Sequence, residues 1–104
     1  MENLTGFQRD LLYIIGTEDK PSGQDIRRNM ETYYDNDINH GRLYPNLDEL
    51  VNRELVFKGT KDQRTNYYQI TDEGKTQIQK RNQWLNDVID SSPEQMNKIT
   101  PASE

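Results

Sequence analysis

Residues 39–56 read NHGRLYPNLDELVNRELV and carry the clearest helical pattern of the chain. The large apolar side chains recur at the spacing of one helix face: Leu43, Leu47, Leu50 and Val51. Two residues that weaken helices, Gly41 and Pro45, stand in the first turns of the same stretch. The pattern therefore predicts a helix whose N-terminal end is shaped by a requirement other than helix stability.

The position of these two residues limits their cost. If Asn39 is the N-cap, then Gly41 lies in the first turn, where the first four N–H groups of any helix lack an internal partner. Pro45 follows just beyond that turn, so it removes about one hydrogen bond and bends the start of the helix. The open alternative is that both residues only shape the connection from loop to helix.

Outward from this helix, capping and periodicity signals predict the remaining elements. One helix is expected over residues 5–16, with Thr5 as N-cap and Gly16 as its end, and another from Ser22 to about residue 34. Strands are expected at LVFKG and NYYQIT, joined by the polar link TKDQR. A long helix follows over 72–90.

This order describes a mainly α protein with a β-hairpin wing (α+β), a winged helix-turn-helix. Residues 1–90 are expected to form one such domain, in which 72–90 is the C-terminal dimerisation helix. Residues 91–104 are expected to be a flexible tail because they contain few apolar groups.

Composition excludes several classes of protein. Only 31% of the 104 residues are hydrophobic and 30% are charged, so the core must be thin and pairing with a second copy would add stability. The absence of cysteine excludes disulfides, thiol nucleophiles and thiolate zinc sites. No apolar run approaches the roughly 18 residues of a membrane span, and MENLTGFQRD does not resemble a signal peptide, so a cytoplasmic protein is expected.

Charge is unevenly distributed along the chain. The net charge is -5, which taken alone disfavours nucleic acid as a partner. Residues 38–81 hold 6 acidic and 8 basic side chains, whereas both flanking segments are net acidic. The one net-basic segment therefore contains the unusual helix.

No catalytic or metal site can be assembled. His40 is the only histidine, and the chain has no nucleophile elbow, Walker A motif or dinucleotide fingerprint. DNDINHG begins like a calcium loop, but His40 replaces its sixth-position glycine and Asn46 its final glutamate. An Asx-rich turn is favoured, and neither an enzyme nor a bound cofactor is predicted.

The predicted binding surface is nucleic-acid-like. In a helix-turn-helix the second helix of the pair enters the major groove by its N-terminal end. Side chains there can contact base edges or phosphates, and the candidates are Asn39, His40, Gly41, Arg42, Tyr44 and Asn46. The wing tip and the preceding helix add candidate backbone contacts: Lys61, Arg64, Thr65, Asn66 and Arg27.

The long last helix has an apolar stripe too sparse to fill a core alone. Paired with a second copy, it would place two recognition helices about 34 Å apart, one turn of DNA. The expected interface residues are Leu12, Ile78, Trp84, Leu85, Val88 and Ile89. Two alternatives stay open, namely packing within its own domain and a small-molecule pocket lined by Trp84.

The combination of LYP in the third helix with YYQIT in the second strand resembles the PadR family of transcriptional regulators. The matching residues are Leu43-Tyr44-Pro45, Leu47, Leu50, Glu54-Leu55-Val56, Tyr67-Tyr68-Gln69-Ile70-Thr71 and Gly74. The likeness covers residues 4 to about 90, although Glu54 stands where the family usually has glycine. The opening LTGFQRDLLY is similar to haloarchaeal members, some of them associated with redox stress, which points to an archaeal source and leaves a small-molecule or redox effector open.

The resemblance implies a homodimeric repressor. The residues favour a sequence-specific binder of double-stranded DNA that acts on a palindromic operator. The alternative is a winged-helix module whose acidic surface binds protein and not DNA, an interpretation that the net charge of -5 supports.

Overall fold

The computed structural model describes Met1, residues 3–91 and residues 94–95. The elements follow one another in the predicted order: α1 (Gly6–Thr17), α2 (Gly23–Tyr34), α3 (His40–Asn52), β1 (Val56–Thr60), β2 (Asn66–Ile70) and α4 (Asp72–Ser91). The predicted winged helix-turn-helix fold is confirmed. The predicted flexible tail, 91–104, lies outside the described residues except for Ser91, which still belongs to α4, and residues 94–95.

Side-chain caps begin the first two helices where the sequence predicts them. Thr5 accepts a hydrogen bond from the Gln8 backbone N–H at 3.1 Å, and the Gln8 side chain accepts one from the Thr5 N–H in return. Ser22 and Asp25 form the same reciprocal cap at the start of α2. The expected end of α1 at Gly16 is wrong, because the helix continues to Thr17.

The core is built around α1. Leu11, Leu12 and Ile15 are 0% exposed and belong to one apolar cluster with side chains from every other element. The expectation that Leu12 contacts a second copy is therefore corrected, since its side chain is enclosed within its own protomer. From α3 the core takes Leu43, Leu47 and Leu50, which are also 0% exposed.

The wing is an antiparallel pair anchored to the start of α2. Val56 pairs with Ile70 at its base and Thr60 with Asn66 at its tip. The Tyr68 backbone N–H donates to the Pro21 carbonyl at 2.9 Å, so the segment before α2 extends the sheet by a short stretch. Burial of the Tyr68 ring in the core raises the pKa of its hydroxyl to about 12.

The turn between α3 and β1 keeps a left-handed conformation without glycine. Glu54 has φ 63, and the Leu55 N–H donates to the Leu50 carbonyl at 3.1 Å, which closes the helix end. The Glu54 carbonyl accepts from the Thr71 hydroxyl at 2.7 Å. The surrounding contacts therefore hold a backbone conformation that costs a non-glycine residue about 1–2 kcal/mol.

Replacing this residue by glycine relieves that cost. We expect Glu54→Gly to raise the free energy of unfolding by about 1 kcal/mol, measured by urea denaturation. Glu18→Gly is the control, because Glu18 ends α1 at φ -123, where an ordinary residue is unstrained. A loss of stability in Glu54→Gly would show that the turn is not under the strain described.

Candidate nucleic-acid interface

The N-terminal end of α3 is exposed, although the rest of the helix is held by its leucines. Asn39 is the N-cap, as predicted, and its side-chain oxygen accepts from the Arg42 backbone N–H at 2.9 Å. His40 and Gly41 are both exposed beside it. The predicted tip is therefore accessible to a ligand.

Gly41 has no structural reason to be glycine. It lies within the helix without a positive φ, and the nearest atom to an added methyl group would be the Asn39 oxygen at 3.4 Å, an ordinary contact. Its carbonyl would normally accept from the N–H of residue 45, which Pro45 lacks. A side chain at residue 41 would fit the packing of this protein, so the bare backbone of Gly41 is not required by the fold.

His40, the first residue of α3, contacts α2. Its Nε2 is 3.2 Å from Nη1 of Arg27 and accepts that bond, since a guanidinium can only donate. Its ring stacks on Tyr44 with the centroids 5.3 Å apart. Arg27 also forms an ion pair with Glu31 of α2 at 3.2 Å. Its contact with His40 therefore connects α2 to the tip of α3.

Glu31 fixes the loop that leads into α3. Its carboxylate accepts from the Ile38 backbone N–H at 2.8 Å. That hydrogen bond, followed by the bond and charge of Arg27, holds the pKa of Glu31 below its usual range despite the opposing effect of desolvation. The predicted contact residue Arg27 is therefore already part of an internal ion pair.

Arg42 lies across the first turn of α1 in this structure. Its guanidinium carbon is 4.0 Å from the Phe7 ring centroid and 5.9 Å from that of Tyr34. A cation–π contact at an exposed site is worth only about 0.5–1 kcal/mol. The side chain can therefore leave this position at low cost.

Asn46, which is expected to face a base, is hydrogen-bonded to α1 and to its own helix in this structure. Its Oδ1 accepts from Nε2 of Gln8 at 3.0 Å, and its Nδ2 donates to the Arg42 carbonyl at 2.7 Å. Both ends of the amide are thus engaged within the chain. Sequence reasoning missed Gln8, although the T-x-x-Q capping pattern was a signal that its side chain had a structural task.

Tyr44 packs on the first residue of α2. A methyl group added at Gly23 would lie 2.6 Å from the Tyr44 hydroxyl and 2.8 Å from Cε1, so glycine is required there for the ring to fit. The Tyr44 side chain is half-buried, which leaves part of it accessible near the N-terminus of α2. At that terminus the N–H groups of Ser22 and Asp25 are engaged in the reciprocal cap, and the Asp25 carboxylate lies in the first turn.

The tip of the wing contacts the segment that precedes α2. Nζ of Lys61 donates to the Lys20 carbonyl at 3.2 Å. Asp62 accepts from the backbone N–H groups of Arg64 and Thr65 at 2.9 and 3.1 Å, which closes the turn. The structure therefore brings Tyr44 of α3 and Lys61 of the wing to one segment, residues 20–23.

This surface carries four cationic side chains beside the acidic Asp25 and Asp62. Among the described residues, no carboxylate lies within ion-pair distance of the cationic groups of this surface, Lys20, Arg42, Lys61 and Arg64. Hydrogen bonds from Ser22, and then the charges of Arg28 and Lys61, hold the pKa of Asp25 below its usual range. Lys20, which rests 5.4 Å from the Tyr67 ring centroid, is a cation of this surface that the sequence analysis did not select.

The last predicted surface is on α4. Trp84, Leu85, Val88 and Ile89 are 52%, 37%, 42% and 44% exposed. Ile78, predicted with them, is partly buried against the core of its own protomer. A cleft of about 730 Å³ lies between the residues that precede α1 and α4 and is lined in part by Arg53, Arg81 and Trp84.

Two other classes of site are absent from the residues that the structure describes. These residues hold no cluster of three or more His, Cys, Asp or Glu side chains able to bind a metal ion. None of their helices combines the length and apolar character needed to cross a membrane.

The chain is similar to a known protein family and to several solved structures. Residues 11–80 match the transcriptional regulator PadR-like family. In the complex structure of hsRosR-S1, the matched protein is 38% identical, with a TM-score of 0.83 over 94% of this chain and 87% of that chain. A second structure, of H. salinarum RosR grown from NaBr, is also 38% identical. Its TM-score is 0.81 over 93% of this chain and 87% of that chain.

A more distant structure shares the fold. The PadR-like transcriptional regulator of Bacillus cereus is 22% identical, with a TM-score of 0.70 over 86% of this chain and 90% of that chain. No curated protein sequence matches the chain.

The contact between α2 and α3 gives a stability prediction whose sign depends on one ring. Gly23→Ala should lower the free energy of unfolding by about 1–3 kcal/mol, because the methyl group overpacks against Tyr44. In a Tyr44→Ala background the same change should raise it by up to about 1 kcal/mol, since alanine is the better helix former. Urea denaturation of the four proteins measures both, and the same sign in both backgrounds would contradict the described packing.

Proposed function

Because the chain belongs to the transcriptional regulator PadR-like family, we propose that it is a sequence-specific binder of double-stranded DNA that represses transcription as a homodimer on a palindromic operator. One observation carries the proposal. The tip of α3 and the tip of the wing both contact residues 20–23, so the two basic tips share one surface with the N-terminus of α2. A winged helix that reads DNA needs this combination of groove-entering helix and phosphate-binding flanks.

The residues divide into base-facing and backbone-facing groups. His40 and Arg42 stand nearest the free end of α3 and are assigned to base edges, Arg42 after leaving the Phe7 ring. Tyr44 is assigned to a phosphate, which a tyrosine hydroxyl can contact. The backbone contacts of the wing and α2 are assigned to Lys61, Arg64, Thr65, Asn66 and Arg27.

Gly41 and Asn39 have different tasks at the same tip. Asn39 keeps the helix capped, which aims the first turn outward. Gly41 keeps the backbone bare, so that a duplex can approach more closely than any side chain would permit. Asn46 is not assigned to a base, because its amide is engaged by Gln8 and the Arg42 carbonyl.

The homodimer is supported by the unpaired apolar side chains of α4. The molecule measures 54 Å along its longest axis but only 29 and 22 Å across. Four large apolar side chains of one helix, Trp84, Leu85, Val88 and Ile89, stay between about a third and a half exposed. Exposed apolar patches of this kind mark association sites in soluble proteins.

Repression follows from occupancy. A dimer bound to a palindrome covers two half-sites one helical turn of DNA apart and excludes other proteins from them. Binding alone is sufficient for this task.

Gly41 is the sharpest test of DNA binding through the tip. Gly41→Ala should raise the free energy of unfolding by about 0.4–1 kcal/mol, because the added methyl group meets no clash. The same change should weaken binding to a duplex selected from a random pool, since backbone approach is blocked. Urea denaturation and fluorescence anisotropy measure the two effects.

The matched control is Asn52→Ala at the exposed opposite end of α3. It should leave duplex affinity unchanged. A Gly41→Ala protein that is more stable and binds the selected duplex as tightly as before would remove the α3 tip from the interface.

The dimer is tested separately on α4. Leu85→Glu should shift the protein towards monomer and weaken its binding to a palindromic duplex more than to a single half-site, because a buried carboxylate is unfavourable. Asn86→Glu, also on the exposed part of α4, is the control that should leave the mass unchanged. Sedimentation velocity measures the mass, and an unaltered dimer in Leu85→Glu would exclude this helix face as the interface.

A further inference from the structure

Gln8 is a buried polar side chain with two separate tasks. It is 8% exposed, and among the described residues it is the one buried side chain with polar groups besides Tyr68 with its hydroxyl. Its Oε1 accepts from the Thr5 backbone N–H at 3.1 Å, which completes the cap of α1. Its Nε2 donates to Oδ1 of Asn46 on α3 at 3.0 Å.

The second bond continues into the tip of α3. Asn46 donates from Nδ2 to the Arg42 carbonyl at 2.7 Å, next in sequence to Gly41. The Gly41 carbonyl has lost its helical partner to Pro45, so this end of the helix is internally weaker than the rest. An oriented series of amide hydrogen bonds thus runs from the start of α1 to the loosest part of α3.

In the free protein, the same turn of α1 contacts α3 at a second point, which Arg42 gives up when it turns to a base. The Phe7 ring, next to Gln8, carries the Arg42 guanidinium at 4.0 Å. Residues 5–8 therefore contact α3 through the Asn46 side chain and through the Arg42 side chain. No other part of the described chain grips both of these residues through side-chain bonds or ring contacts.

The Gln8 amide does not need Asn46 as its partner merely to have a hydrogen bond while buried. Water or a neighbouring carbonyl could satisfy Gln8, whereas a bond to Asn46 transmits the position of α1 to the first turn of α3. Recognition side chains must be held within about 0.5 Å and 10–20° to discriminate between targets. A tip weakened by glycine and proline needs an external support to reach that precision.

We propose that Gln8 is a positioning residue for DNA recognition, which sets the direction of the first turn of α3 without touching DNA. The inference rests on the proposed function, since it concerns the same tip. Loss of the Gln8–Asn46 bond should reduce discrimination between sequences more than it reduces binding to DNA in general.

The experiment compares two changes at the same cap. Gln8→Met keeps the length of the side chain but removes the bond to Asn46. Thr5→Ala removes the other half of the cap and leaves that bond intact. Both are measured as the ratio of affinities for a selected duplex and a scrambled one, at a temperature where urea curves show each protein fully folded.

Gln8→Met should lower this ratio by about tenfold, the equivalent of one lost base contact, while Thr5→Ala leaves it unchanged. Equal losses in both variants would show a general effect of stability and overturn the proposal. An unchanged ratio in Gln8→Met would overturn it as well.

Gln8→Glu serves if Gln8→Met does not fold. The carboxylate still accepts from the Thr5 N–H at a helix N-terminus, where negative charge is favourable, but it cannot donate to Asn46. This variant should lower the affinity ratio in the same way, and a wild-type ratio would contradict the positioning role.

Amide hydrogen exchange of the free protein separates this inference from the proposed function. Faster exchange at residues 43, 44 and 46 in Gln8→Met, but not in Thr5→Ala, is expected if Gln8 holds the tip. A wild-type protein without any duplex preference would overturn the proposed function, and unchanged exchange in Gln8→Met would overturn the positioning role.

Discussion

The burial of Leu43, Leu47 and Leu50 against α1 is the constraint on which the rest of the structure depends. Each fully buried leucine contributes roughly 1.5–3 kcal/mol. Together they outweigh the cost of a proline inside a helix, about 3 kcal/mol, and of a glycine, about 1 kcal/mol. The helix can therefore remain attached by one stripe while its N-terminal end is left weak, bare and exposed.

The net charge of -5 is a poor guide to this surface because electrostatic effects are local. Salt screens exposed charges over about 10 Å at 0.1 M, so distant acidic side chains contribute little at the tip of α3. Two acidic side chains of α2, Asp25 and Glu31, are engaged by Ser22, Arg28, Ile38 and Arg27. The charges that a phosphate would meet there are those of Lys20, Lys61 and Arg64, which have no carboxylate within ion-pair distance among the described residues.

Local signals made the elements predictable from the sequence. Thr5, Ser22 and Asn39 cap their helices where expected because a cap depends on residues only three positions apart. The prediction that Gly16 ends α1 was wrong, because this glycine lies within the helix. It is close to Ile70 and Ile78. That contact joins residues far apart in sequence, and no periodicity reveals it.

The candidate site was predictable in position but not in detail. The sequence located the tip and the wing, yet it could not show that Asn46 and Arg42 turn towards α1, or that Leu12 is enclosed. Each of these depends on how α1 packs against α3, which is set by tertiary contacts. Glu54 shows the same limit, since a left-handed turn that favours glycine is held here by its neighbours.

Selection of bound duplexes from a random pool tests most directly whether the exposed end of α3 reads DNA. The account predicts an enriched palindrome whose half-sites are centred about 10–10.5 base pairs, or a multiple of that, apart. A pool that shows no enrichment over scrambled competitor would contradict it and would favour a surface that binds protein.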